Sequence, residues 1–99
     1  MTNSERHQKI LAEMHETYKT KNAAYGDSFA KSIAKYGYIA ALVRLNDKFE
    51  RLESLISKNG VENDERLRDT CLDAANYFTM LAIEMDKKEK AAANKPRPD

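Results

Sequence analysis

The stretch LVRLNDKFERLESLI, residues 42–56, decides how this chain folds. At about 100° per residue, Leu42, Leu45, Phe49, Leu52 and Ile56 fall on one stripe, spaced 3, 4, 3 and 4. The opposite side carries Arg44, Asp47, Lys48 and Arg51, with Leu55 among them, while Glu50 and Glu53 flank the stripe beside Asn46. Apolar on one face and charged on the other is the pattern of a surface helix, expected here over residues 38–58. A second long helix, expected over 63–90, answers it. Its apolar stripe is Leu67, Cys71, Ala74, Phe78, Leu81 and Met85, flanked by Ala75 and Ala82. Its other face holds Asp69, Asp73 and Asn76, bracketed by Leu72, Met80 and Ile83. A solvated face has no need of those three apolar residues, so this helix is expected to be covered on both sides.

Working outward, residues 4–22 read as a first helix with Ser4 as N-cap and Glu5 in the first turn, where the helix dipole favours negative charge. Ile10, Leu11, Met14 and Tyr18 form its only apolar stripe; His7 and His15 lie about 80° apart and read as surface or stripe-edge residues. Tyr25-Gly26-Asp27-Ser28 has turn chemistry, since Gly permits positive φ and Asp or Ser can cap the next helix. That short helix is expected from Ser28 to Tyr36 with Phe29 and Ile33 inward, ended or kinked at Gly37. The aromatics here, Tyr25, Phe29, Tyr36 and Tyr38, either fill space between long helices or wall a planar ligand. Gly60 is the expected stop of the central helix and Asn63 the cap of the next. From Lys87 onward the periodicity is lost, and Pro96 and Pro98 forbid helix at the end. The expected organisation is one all-α domain over 1–88, of three to four helices, with a flexible tail over 89–99.

Bulk properties narrow the function. Ninety-nine residues, 41% hydrophobic and 33% charged, suit one small helix-rich domain with a modest core. A net charge of +1 gives no bulk attraction for nucleic acid or anionic membrane, and no helix carries a basic recognition face. The single Cys71 excludes an internal disulfide framework and a Cys-based zinc site, and its place on an apolar stripe reads as a small core residue. No apolar run reaches a membrane span and the N-terminus has no apolar signal core, so the expected location is cytoplasmic.

If the two long helices form an antiparallel hairpin through their apolar stripes, their polar faces point away from each other. Arg44, Asp47, Lys48 and Arg51 then meet Asp69 and Asp73 only across the first helix or across another subunit. With Leu55, Leu72, Met80 and Ile83 left over, a homodimer or higher homo-oligomer completing a four-helix-type bundle is the expected assembly. Two carboxylate pairs are candidate catalytic and metal-ligating groups: Glu50 and Glu53 at i, i+3, and Asp69 and Asp73 at i, i+4. Oxygen-rich sets of this kind suit Mg²⁺ or Mn²⁺. The competing reading is that Glu50 and Glu53 solvate a flank while Asp69 and Asp73 pair with Arg44, Lys48 or Arg51 across an interface. There is no Gly-rich phosphate loop, no HExxH and no context for an activated Ser or Cys nucleophile.

YGDSF (25–29), RLNDKFERLESLI (44–56) and DTCLDAANYFTM (69–80), in that order, resemble the small phage and bacterial family called nucleotide modification associated domain 1, over roughly residues 21–85. That family is similar to the all-α nucleoside triphosphate pyrophosphohydrolases of the MazG and dimeric dUTPase type. The resemblance implies a four-helix core assembled from two or more subunits, and Mg²⁺ held by carboxylates on adjacent helices at the phosphates of a (d)NTP. It also implies a nucleotide or nucleotide-like partner met by Asp47, Lys48, Arg51, Asp69, Asp73, Asn76 and Tyr77, with Tyr25, Gly26 and Ser28 matching the loop. If the protein is phage-encoded, the location is the host cytoplasm. The pyrophosphohydrolase signature is ExxE followed by ExxD. Glu50-x-x-Glu53 fits the first half, whereas the second is replaced by Asp69-x-x-x-Asp73 and Asp73-x-x-Asn76.

Three functions are compatible with these residues. One is a Mg²⁺-dependent pyrophosphohydrolase in which Asp69, Asp73 and Glu50 or Glu53 hold the metal, Lys48 and Arg51 contact phosphates, and Tyr25 stacks on the base. Another is an oligomer that sequesters a nucleotide through Arg44, Lys48 and Arg51 without hydrolysis. The last is a helical interaction or inhibitor protein with no small-molecule site.

Overall fold

A computed structural model of the chain describes residues 1–25, 27–57 and 65–94. All regular structure among them is helical, so the chain is all-α: α1 (Asn3–Tyr25), α2 (Ser28–Tyr36), α3 (Ile39–Ser57) and α4 (Glu65–Asn94). The expected Gly60 stop, the Asn63 cap and the 59–62 connection lie outside the described residues. α4 runs on to Asn94, through the first part of the stretch expected as a tail; residues 95–99 lie outside the description.

The cap of α1 is Thr2 rather than Ser4. Thr2 Oγ1 accepts from the Glu5 N–H at 3.1 Å, and Glu5 Oε1 accepts from the Thr2 N–H at 3.1 Å. This is a reciprocal capping box. A frame starting at Thr2 puts a carboxylate three residues on, whereas one starting at Ser4 puts His7 there. The bond from the Thr2 backbone holds the Glu5 carboxyl below its usual range.

α2 occupies the expected span. Asp27, at φ 61°, sits in the left-handed region that Asp tolerates better than bulkier residues. Its carbonyl accepts from the Lys31 N–H at 3.1 Å, while its side chain makes no cap bond. Gly37 ends the helix at φ 77°, donating its N–H to the Ile33 carbonyl at 2.8 Å. A Cβ there would meet nothing, so the glycine is required by φ and not by space. Phe29 and Ile33 are buried as expected and form a small core with Ala41, against which Tyr77, Met80 and Leu81 pack.

The pairing of α3 with α4 departs from the sequence expectation. The line of α3 that turns inward is Ala41, Leu45, Lys48, Leu52 and Leu55. On α4 it is Leu67, Thr70, Ala74, Tyr77, Leu81 and Glu84. Each helix is therefore rotated about its axis toward its polar side, by about 50–60° relative to the apolar stripe. Small residues at Ala41, Thr70 and Ala74 let the backbones approach. The Thr70 hydroxyl donates to the Arg66 carbonyl of its own helix at 2.6 Å, so its burial leaves no orphaned donor.

This rotation corrects several expectations. Leu42, Phe49 and Ile56 are exposed, as are Cys71, Phe78 and Met85. Cys71 is thus a surface thiol and not a core residue. Leu55, expected as left over, is buried, and Met80 packs against the α2–α3 core. Lys48 Nζ lies 3.7 Å from Asp73 Oδ2 within one chain, although the stripe geometry places those faces apart. The aliphatic stem of Lys48 covers part of the helix contact while its ammonium reaches the edge.

α1 adds little apolar burial. Of its expected stripe only Met14 is buried and Tyr18 half-buried; Ile10 and Leu11 are exposed, as are His7 and His15. Polar contacts fasten it to α4. Arg68 donates to both oxygens of Glu13 at 2.8 and 2.7 Å, a bidentate pair. Asn76 Nδ2 donates to the Met14 carbonyl at 3.2 Å, and Lys21 Nζ to Asp73 Oδ1 at 3.0 Å.

Candidate functional site

Where α1, α2, α3 and α4 meet, a cleft of about 400 Å³ opens. Four aromatic rings line it: Tyr18 and Tyr25 from α1, Phe29 from α2 and Tyr77 from α4. Phe29 and Tyr77 are in ring contact at 5.4 Å between centroids, tilted by 49°. The charged lining groups are Lys21, Asp27, Arg44 and Asp73, and the amides Asn22 and Asn76 complete the polar part.

The electrostatics turn on Asp73. One oxygen accepts from Lys21 at 3.0 Å, and the other faces Lys48 at 3.7 Å. Lys48 also stands 5.8 Å from the Tyr77 ring centroid, in cation–π range. Two ammonium groups are thus tied to one half-buried carboxylate. Arg44 differs: it lines the cleft, and its side chain makes no ion pair or hydrogen bond among the described residues. A guanidinium offers five donors in a fixed planar fork, which suits a phosphate or carboxylate.

Of the residues singled out from sequence, Tyr25, Arg44, Asp73, Asn76 and Tyr77 line this cleft, and Lys48 abuts it through Asp73 and Tyr77. Arg51 lies farther along α3, donating Nε–H to Thr70 Oγ1 at 3.3 Å. Asp47 is exposed. Glu50 accepts from Asn46 at 3.4 Å on the outer side of α3, and Glu53 and Asp69 are exposed. Of the charged back of α3, Arg44 lines the cleft and Lys48 abuts it, whereas Asp47, Arg51 and the Glu50/Glu53 flank do not line it.

Within one chain, Glu50, Glu53, Asp69 and Asp73 do not converge on a single Mg²⁺ site. Only Asp73 of the four reaches the cleft, and its oxygens are directed at two ammonium groups. Among the described residues no three His, Cys, Asp or Glu side chains converge to hold a metal ion.

Sequence reasoning missed Lys21, Asn22 and Tyr18, because α1 reads as a weak, mostly solvated helix. The signal was present. Tyr18, Lys21, Asn22 and Tyr25 are spaced i, i+3, i+4 and i+7, one helical face that continues from Met14. No known protein family, curated protein or solved structure matches this chain.

Proposed function

We propose that this chain binds a nucleotide or nucleotide-like anion in the cleft between α1, α2, α3 and α4, as a member of the family it resembles and as a homodimer or higher homo-oligomer. The observation that carries the reading is Arg44, a guanidinium without a partner among the described residues, set in a cleft walled by aromatic rings. In this reading Arg44 takes a phosphate as a charge-assisted, two-pronged contact. Tyr25, 70% exposed at the mouth, covers the base, because an aromatic ring loses little on desolvation and stacks on any planar heterocycle. Asn22 and Asn76 offer amide groups to a base or sugar edge. Lys48 exchanges between Asp73 and the ligand, since its 3.7 Å separation from Asp73 is an ion pair without a tight hydrogen bond.

Binding without turnover is the form of this function that the residues favour, because the carboxylates a metal-assisted hydrolysis would need do not converge. The test is calorimetric titration of the full chain with each ribo- and deoxyribonucleotide, in EDTA and in Mg²⁺, with pyrophosphate release followed in parallel. Binding that survives EDTA and weakens roughly 10-fold or more in Arg44→Ala is expected, the scale of a lost charge-assisted contact. Failure of every nucleotide to bind at millimolar concentration overturns the reading. Pyrophosphate release that depends on Mg²⁺ replaces it with the hydrolase.

A further inference from the structure

The cleft gathers three cations and commits one of them. Lys21 and Arg44 line it and Lys48 abuts it, while Asp27 and Asp73 are its acidic residues. Lys21 Nζ donates to Asp73 Oδ1 at 3.0 Å, a hydrogen-bonded ion pair that cancels one charge of each sign. Lys48 Nζ is 3.7 Å from Asp73 Oδ2, beyond a tight hydrogen bond, and stands 5.8 Å from the Tyr77 ring centroid. Arg44 makes no side-chain ion pair or hydrogen bond among the described residues. Arg44 and Lys48 are therefore left to meet a ligand, and a phosphate monoester carries a charge of about −1.5 to −2 at neutral pH. One phosphate is what the cleft can neutralise.

Asp73 also stands where further phosphates would need to go. Its side chain is only 28% exposed, and it is held from two sides, by Lys21 of α1 and Lys48 of α3. A phosphate oxygen in hydrogen-bond contact with either ammonium comes within about 7 Å of the Asp73 carboxylate, because the ammonium groups are themselves 3.0 and 3.7 Å from it. At that range, in a cleft partly closed to water, like charges repel more than they do in bulk solution. Asp27 adds a second acidic residue to the same cleft, and its side chain makes no cap bond to α2. The second and third phosphates of a longer chain thus meet carboxylates and no uncommitted cation. The volume agrees: about 400 Å³ is at the small end of ligand pockets, which run from about 300 to 1,000 Å³.

We propose that Asp73 is a specificity-determining residue that sets the number of phosphates at one, so that the ligand of this cleft is a nucleoside monophosphate. The inference rests on the nucleotide reading above and names the ligand class within it. It differs from the nucleoside triphosphate that the family resemblance implies, with Asp73 holding a metal ion. Here the Asp73 oxygens face two ammonium groups instead. Arg44 takes the phosphate as a two-pronged contact, Lys48 leans to it from its looser position, and Lys21 stays with Asp73. A di- or triphosphate is disfavoured by the charge it brings near Asp73, which is discrimination by repulsion and not by a missing contact.

The test is calorimetric titration of the full chain with the mono-, di- and triphosphates of each common ribo- and deoxyribonucleoside, in EDTA and again in Mg²⁺. The monophosphate is expected to bind most tightly and the triphosphate roughly 3-fold or more weaker, the scale of one unfavourable charge contact at a partly solvated site. Asp73→Asn keeps the shape and removes the charge. Every affinity should rise, the triphosphate's most, so that the preference for the monophosphate shrinks by about 2-fold or more. Lys21→Met breaks the same α1–α4 contact but keeps the carboxylate, so its preference should be as large as that of the unaltered chain or larger. A purely structural role for Asp73, holding α1 through Lys21, would change all three affinities by one factor in both variants. Helical circular dichroism checks the fold of each variant, and where one fails to fold, the order of the three affinities in the unaltered chain decides by itself. No nucleotide binding at millimolar concentration overturns the nucleotide reading, and this inference with it. Affinity that stays level or grows with each added phosphate, in either buffer, or a preference unchanged in Asp73→Asn, overturns the inference and leaves nucleotide binding standing.

Discussion

The two flanks of the α3–α4 hairpin are built from the same two helices and hold opposite chemistry. The cleft flank is polar and crosslinked: Lys48 to Asp73, Lys21 to Asp73, Arg51 to Thr70, and Asn76 to the Met14 carbonyl. The other flank is two bare apolar rows, Leu42/Phe49/Ile56 and Cys71/Phe78/Met85. Buried between them is a thin line in which Ala41, Thr70, Leu45, Leu55 and Ala74 are the most covered residues. Burial in this chain therefore does not track hydrophobicity alone. Thr70 is 3% exposed while Phe49 is 50% exposed. Close backbone approach at small residues, with polar groups satisfied at the edge, helps set the contact, and Leu42, Phe49, Ile56, Phe78 and Met85 are left outward.

The largest effect that tests this contrast is on stability. Leu45→Ala removes a buried side chain and is expected to cost about 2–4 kcal/mol, whereas Phe49→Ala, measured where the chain is monomeric, is expected to cost less than about 1 kcal/mol despite the larger side chain. Urea unfolding at matched concentration reads both. Equal losses would mean that the packed line has been misplaced on α3.

Next in size is Asp73→Asn. Removing the carboxylate frees Lys21 and Lys48, so affinity for inorganic phosphate or a nucleotide is expected to rise by about 2–5-fold, while stability falls by about 0.5–1 kcal/mol through the loosened α1–α4 contact. The sign is what matters. A ligand of Mg²⁺ at this position would give loss of nucleotide binding instead, visible in the same titration.

The smallest effect is a pH dependence at the α1–α4 contact. The bidentate bond from Arg68 holds the exposed Glu13 carboxyl below its usual range. A depressed folded-state value stabilises the fold at pH above the ordinary carboxylate range and loses that contribution as pH falls through the lower, folded value. Stability should therefore decline slightly on acidification below about pH 4.5, and Glu13→Gln should remove that part of the slope. Chemical denaturation between pH 3 and 6 checks it; an unchanged slope in Glu13→Gln would assign the acid sensitivity elsewhere. With both side chains about half exposed, the pair is a fastener of α1 and not a principal source of stability.

Much of the fold is legible in the sequence because its determinants are local. The span of α2 is bounded by Asp27, at φ 61°, and by a glycine able to take φ 77° at its end. The helical character of α3 and α4 comes from their 3-4 spacing. Within the candidate cleft, Arg44, Asp73 and Asn76 stand out in the sequence, since a charged face and an acidic face at matching spacing are visible in one dimension; Tyr25 stands out as an aromatic of the connector, and Tyr77 only through the family resemblance. Lys21 and Asn22 escape such a reading, because a helix that buries only Met14 gives a faint amphipathic signal. The carboxylates Glu50, Glu53 and Asp69 are drawn in by spacing, which says which side chains share a flank and nothing about what stands opposite that flank.

Sequence alone specifies that Leu42–Ile56 is a helix and which of its residues share a bearing. Which bearing turns inward is settled by tertiary contact. Two lines, 42/45/49/52/56 and 41/45/48/52/55, share Leu45 and Leu52 and lie about 60° apart on the helix. Periodicity favours the first, because it is the more apolar. The partner helix selects the second, because Ala41 against α4 and Lys48 against Asp73 are contacts whose energies exist only once α4 is in place. Leu42, Phe49 and Ile56 are thereby left exposed, and Arg44 of the charged back comes to line the cleft.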